Sequence, residues 1–126
     1  MPGTRMPKQI RELITVTANT TLTTWDVGKT ICNVGAGGAV TITLPTPASC
    51  SPGDDILVLS CANQDLIVAS GTADTLITLN DIAADSVALS TSSEKAGGGF
   101  LFTCVGSLWH VACLTEETQT VTVVTN

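Results

Sequence analysis

The stretch GGGFLFTCVGSLWHVACL, residues 97–114, constrains this chain more than any other. Two apolar runs flank Gly106-Ser107. Glycine accepts the positive φ that a two-residue primed turn demands, so the runs predict a β-hairpin. Pairing outward from the turn sets Cys104 opposite Trp109, Phe102 opposite Val111 and Phe100 opposite Cys113. All six then share one face. Strand side chains alternate between faces, so a one-residue slip would turn a whole strand's set away from its partner's. The hairpin holds both Phe residues and one of the two Trp, and should therefore anchor the core. Its other face carries Leu101, Val105, Leu108 and Ala112 around Thr103 and His110. That face is also apolar, as expected beneath a second sheet or at an interface between subunits.

The rest of the chain has the same texture. VTITLP alternates cleanly, with Val40, Ile42 and Leu44 on one face and Thr41 and Thr43 on the other. It reads as a half-buried strand that stops at Pro45, which has no N–H to give a ladder. Turn signals recur every eight to twelve residues, the spacing of a sandwich or barrel. Strands are expected over 13–18, 20–25, 29–34, 39–44, 55–60, 65–69, 75–79, 86–90, 99–105, 108–114 and 119–125. A short turn is expected near Asn80–Asp85. Composition agrees: 21 of the 126 residues are Thr and none is Tyr. Such a chain builds its core from Val, Ile, Leu, Ala and Cys and keeps one strand face wet. The expected fold is all-β: an antiparallel β-sandwich, jelly-roll-like or Greek-key, over 13–126. An extended basic N-terminal arm occupies 1–12.

Charge is sparse and uneven. Charged residues make up 13% of the chain, against about 25% in an average domain. The net charge of −6 argues against a general nucleic-acid binder. Yet Arg5, Lys8 and Arg11 are three of only five basic residues. The arm also carries Met1, Met6 and Ile10, side chains able to anchor in a partner's grooves. The first sixteen residues lack the apolar centre of a secretory signal. No run approaches the roughly 20 apolar residues that span a membrane. No membrane partner is expected.

The motifs offer little chemistry. Cys32, Cys50, Cys61, Cys104 and Cys113 include no CxxC pair, and an odd number cannot all pair within one chain. They read as small hydrophobes of a protein folded in a reducing cytoplasm. His110 is the only histidine, sits mid-strand, and reads as a structural residue opposite Thr103. Trp25 reads as a core or interface residue rather than an exposed platform. Asp54 and Asp55 follow SPG, a turn that favours Asp for backbone reasons, and neighbours in a strand point to opposite faces. If they do more than turn the chain, one of them should meet a basic group at a neighbouring subunit. Asp74, Asn80, Asp81 and Asp85 do not match a calcium loop. The triple glycine at 97–99 lacks the Lys-Ser/Thr of a phosphate loop. No catalytic, metal or cofactor-binding residue is expected, and no enzyme.

The order of features resembles a known group. NTTLT is followed by GKTICNVGAGGAVTITLP, then SPGDDILVLSCANQDLIVASGTADTL, SVALSTS and GGFLFTCVGSLWHV. The fixed points are Thr43-Leu44-Pro45, Gly53 and Trp109, within residues 15–114. This pattern resembles small β-structured bacteriophage virion proteins: capsid decoration (cement) proteins and tail-fibre tip modules. The missing shaft and repeat favour decoration protein over fibre. The resemblance implies a structural protein, a homotrimer on the outer surface of an assembled shell, made in the host cytoplasm. Its partner would be the major capsid protein. Arg5, Met6, Lys8, Ile10 and Arg11 are then the candidate capsid-binding residues. Leu101, Val105, Leu108 and Ala112 are the candidate oligomer interface. The alternative is a fibre-tip or receptor-binding module that recognises a host glycan or protein.

Overall fold

The hairpin forms in the register its side chains dictate. In the computed structural model, which describes residues 11–125, Cys104 pairs with Trp109, Phe102 with Val111 and Phe100 with Cys113. The Val105 N–H closes the turn onto Leu108 O at 2.9 Å, with Gly106 at φ +111°. The strands in chain order are β1 (Leu13–Thr15), β2 (Thr20–Thr21), β3 (Thr30–Cys32), β4 (Val40–Thr43), β5 (Asp55–Leu59) and β6 (Leu66–Ala69). There follow β7 (Leu76–Thr78), β8 (Asp81–Ala84), β9 (Ser86–Leu89), β10 (Gly99–Cys104), β11 (Trp109–Leu114) and β12 (Thr122–Val124).

They form an all-β sandwich of two sheets. The larger has the order β1-β3-β5-β10-β11-β7-β8, and the smaller β12-β9-β6-β4-β2. The first six strands alternate between sheets. Odd strands β1, β3 and β5 pair in parallel in one layer, and even strands β2, β4 and β6 pair in parallel in the other. The N-terminal half is thus a coil of strands wound across two layers. The C-terminal half closes it, with β10 antiparallel to β5 and β9 antiparallel to β6. The sandwich is as expected. Its pairings, however, are mixed rather than antiparallel throughout, and this winding is neither a jelly roll nor a Greek key.

The corner from β4 to β5 shows how the chain changes layer. Pro45 ends the ladder, and Pro47–Ser49 makes one 3-10 turn. Gly53 sits at φ +94° and donates to Cys104 O at 2.7 Å. The Asp54 carboxylate accepts from Ser51 N–H at 2.9 Å, the local Asx bond that favours Asp in turns. Asp54 is therefore a turn residue.

The core lies between the layers. Ile31, Ile56, Val58, Phe100, Phe102 and Trp109 of the larger sheet are fully buried against Val40, Ile42, Leu66, Val68, Val87 and Leu89 of the smaller. The Phe100 and Phe102 rings lie 6.0 Å apart at 50°, within the tilted range aromatic pairs prefer. Gly99 lets β10 approach β5 closely, because a Cβ there would collide with Val58 O.

Two further expectations are revised. The turn near Asn80–Asp85 is strand β8, joined to β7 by a tight bend in which Leu79 and Asn80 both have positive φ. The folded body also starts before residue 13. The Thr30 N–H donates to Glu12 O at 2.9 Å, and Arg11 bonds to the sheet.

Candidate interaction surface

The two outer faces of the sandwich differ in chemistry. On the smaller sheet, the register aligns Thr21 with Thr43, Thr43 with Ala69 and Ala69 with Ser86. The next row runs Thr41, Ile67, Ala88 and Thr122. This face carries the Thr residues that alternation predicts, together with Ile67, Ala88 and, beside Ser86, exposed Val124. On the larger sheet, Leu57, Leu101 and Ala112 form a continuous row across β5, β10 and β11. Leu59 and Leu114 flank Gly99 in the next row. Ile77 lies beside His110, and Leu13 beside Thr30. Leu57, Leu59, Ile77, Leu101 and Ala112 are half-buried, and Leu13 and Leu114 are exposed.

The four expected interface residues all lie on the β10–β11 hairpin. Leu101 and Ala112 are register partners within this apolar row. Val105 and Leu108 close the turn at the hairpin's tip, with Val105 exposed and Leu108 half-buried. Leu13, Leu57, Leu59, Ile77 and Leu114 extend the surface beyond what the hairpin alone indicates. Their common face depends on which strands neighbour each other, and no local pattern carries that.

A polar corner borders the apolar row. The Arg11 guanidinium donates to the Asp55 carboxylate at 2.8 Å, to Thr30 Oγ1 at 3.1 Å and to Lys29 O at 3.0 Å. Asp55 thus does meet a basic group, within its own chain. Arg11, expected to bind a partner, is engaged in the fold. The other expected arm residues, Arg5, Met6, Lys8 and Ile10, lie outside the described residues. Lys29 reaches Asp26 at 3.5 Å and Glu12 at 3.8 Å, and Lys95 reaches Asp65 at 2.7 Å.

No protein-family model matches this chain, and no curated protein matches it.

The remaining candidates resolve individually. His110 projects from the outer face opposite Thr103 and is exposed, not enclosed as a structural histidine would be. Among the described residues no side-chain hydrogen bond reaches its imidazole, and no group of three or more His, Cys, Asp or Glu is arranged to hold a metal. No helix among them is long and apolar enough to cross a membrane. Asp81 accepts from the Ala83 N–H at 2.9 Å within its own segment, and Asp85 accepts from the Asp74 N–H at 2.7 Å, tying the loop before β7 to the residue between β8 and β9. Trp25 is not a core residue: it is 86% exposed in the single chain. It sits on a 3-10 turn, Thr24–Asp26, capped at both ends of a reciprocal pair. Thr23 Oγ1 accepts from the Trp25 N–H at 3.3 Å, and the Asp26 carboxylate accepts from the Thr23 N–H at 2.8 Å. Strand hydropathy places a Trp in a core, whereas this capping box holds it outside.

Proposed function

We propose that this protein is a structural virion component, a capsid decoration protein that assembles as a homotrimer and binds the outer surface of a phage shell. The single observation carrying this reading is the unlike pair of outer faces. One mixes Thr and Ser with Ala, Ile67 and Val124. The other is an apolar row, Leu57, Leu101 and Ala112, edged by exposed Leu13 and Leu114. Contiguous apolar surface of this kind is removed from water by association. In this reading the row joins the subunits, and the basic segment ahead of the folded body, residues 1–10, docks on the capsid protein. Binding to the assembled shell but not to dispersed subunits stabilises the shell by mass action, and several arms per oligomer add avidity.

Two measurements test it. Leu101→Asp should convert the oligomer to monomer in light scattering while the circular dichroism spectrum stays that of a β protein. Deleting residues 1–10 should abolish co-sedimentation with shells of the virus whose genome carries this sequence, while leaving the oligomer intact. A monomeric parent protein, or undiminished shell binding by the truncated one, overturns the reading.

Trp25 favours a second reading, a fibre-tip or receptor-binding module. An indole exposed to solvent is a platform on which a sugar ring can stack. Trp109 is fully buried, so glycan-dependent changes in tryptophan emission would report on Trp25. A glycan panel that leaves the emission unchanged excludes glycan recognition through Trp25.

A further inference from the structure

Four of the five cysteines fall into two neighbouring pairs that their spacing does not announce. Cys50 and Cys104 meet at one carbonyl: Pro47 O accepts the Cys50 N–H at 3.0 Å and the Cys104 thiol at 3.4 Å. Cys32 and Cys61 lie diagonally across the end of the β3–β5 ladder. Cys32 is the register partner of Leu59, and Cys61 follows two residues later. A residue two further along the partner strand is a diagonal neighbour on the same face. Cys61 is also fixed there. The Cys61 N–H donates to the side-chain oxygen of Asn33 at 2.6 Å. The preceding Ser60 is bonded through its N–H to Gly98 O at 2.8 Å and through its hydroxyl to Lys95 O at 2.5 Å. Asn33, next to Cys32 in the chain, thus holds the Cys61 backbone beside the end of β3. Behind Cys32, Thr15 Oγ1 lies 3.6 Å from its sulfur.

The two thiols differ in access. Cys61 is exposed, whereas Cys32 is 3% exposed. An accessible cysteine beside a buried resolving one is the arrangement of a thiol pair that oxidises in two steps. Cys50–Cys104 lacks it, since Cys104 is fully enclosed and Cys50 is half-buried against the core.

We propose that Cys32 and Cys61 are a disulfide-forming site that locks β3 to the segment following β5 when the protein meets a low-molecular-weight disulfide. The Cys61 thiolate attacks one sulfur of the oxidant. A mixed disulfide forms and one small thiolate leaves. The Cys32 thiolate then attacks the Cys61 sulfur and expels the second small thiolate. The two protein sulfurs lose two electrons between them, and the oxidant's disulfide gains both. The two protons from the cysteines pass to the two released thiolates. Partial burial raises the Cys61 pKa above its ordinary 9.0, and the neighbouring Cys32 adds to the shift. The first step is therefore slow at neutral pH and accelerates in alkaline solution. The site does not depend on the proposed function.

The test is to incubate the full-length folded protein with oxidised glutathione, block free thiols and map the bonds by peptide mass spectrometry. The expected product is a Cys32–Cys61 link, preceded by a glutathione adduct at Cys61. Cys32→Ser should stop at that adduct, and Cys61→Ser should give neither adduct nor link. The linked protein should melt higher, by on the order of 10 °C for a loop of this size, and a reductant should reverse the gain. A Cys50–Cys104 link in place of Cys32–Cys61 overturns the proposal. So does a Cys61 adduct that persists in the unmutated protein. A linked protein that melts lower also overturns it, because the native spacing would then not accommodate the bond. Mapping the unmutated protein decides the matter even if a variant fails to fold.

Discussion

The Trp109 indole N–H donates to the Pro45 carbonyl at 3.0 Å, joining a strand of the larger sheet to the end of a strand of the smaller one. Both residues are buried. The bond gives the core's largest side chain a fixed orientation and satisfies a carbonyl that water cannot reach. Trp109→Phe should keep most of the packing and orphan that carbonyl. A buried acceptor left unpaired costs about 1–3 kcal/mol. The denaturant midpoint should fall accordingly, with little change in slope. An unchanged midpoint would mean that the bond contributes nothing to holding the layers together.

Gly99 and Gly37 make a controlled comparison. A methyl at Gly99 would collide with Val58 O and press on Leu59, whereas a methyl at Gly37 meets nothing within 4 Å. Gly99→Ala must separate β10 from β5 and should cost about 1–3 kcal/mol. Gly37→Ala should leave the thermal midpoint within about one degree, or raise it slightly by restricting the unfolded chain.

Arg11 makes three hydrogen bonds where the described chain begins. Its ion pair with Asp55 is only partly shielded, with side chains 30% and 35% exposed. The charge term is therefore small, and the bonds to Thr30 and Lys29 carry the rest. Arg11→Ala should cost about 1–2 kcal/mol. Asp55→Asn should cost less, and added salt should shrink its effect. Hydrogen exchange at the Thr30 amide, which bonds to Glu12 O, should accelerate in Arg11→Ala.

Alkaline pH should weaken the fold. The Cys50 thiol is raised above 9.0, first by burial and then by the charges of Cys104 and Asp54. Cys61 is raised by burial and by Cys32. Each group binds its proton more tightly when folded than when unfolded. Their contribution is complete below about pH 8 and declines as pH rises through 9. Urea midpoints measured under reductant should fall between pH 8 and 10, and a Cys50→Ala, Cys61→Ala double variant should lose part of that dependence.

The hairpin was legible because Gly106 marks its turn and six side chains agree on one face. Strand β8 was not. Its sequence, Asp81-Ile82-Ala83-Ala84, lacks a strand's composition, and it pairs with β7 across an irregular register. The parallel coil left no local trace either. Each strand's partner lies two crossings further along the chain, and the Pro-rich corner that makes such a crossing looks the same as one that reverses a hairpin. Trp25 misled because hydropathy speaks for burial while the Thr23–Asp26 cap decides otherwise. On the apolar outer face, the hairpin's Leu101 and Ala112 could be read directly. Leu57 could not, because it joins them only through the β5–β10 pairing. The Cys32–Cys61 neighbourhood likewise exists only once β3 and β5 lie side by side.

The two-layer coil also sets an order of events during synthesis. Strands β1 to β6 can wind as they leave the ribosome, because each of β3 to β6 finds its first partner among strands already made. The open flanks of β5 and β6 cannot close in this way. Their second partners, β10 and β9, lie far downstream. A nascent chain halted near residue 80 therefore presents two unpaired strand borders and an uncovered apolar interior at once. It is then most exposed to misassembly, and chaperone demand should be greatest until Gly99–Cys104 has emerged.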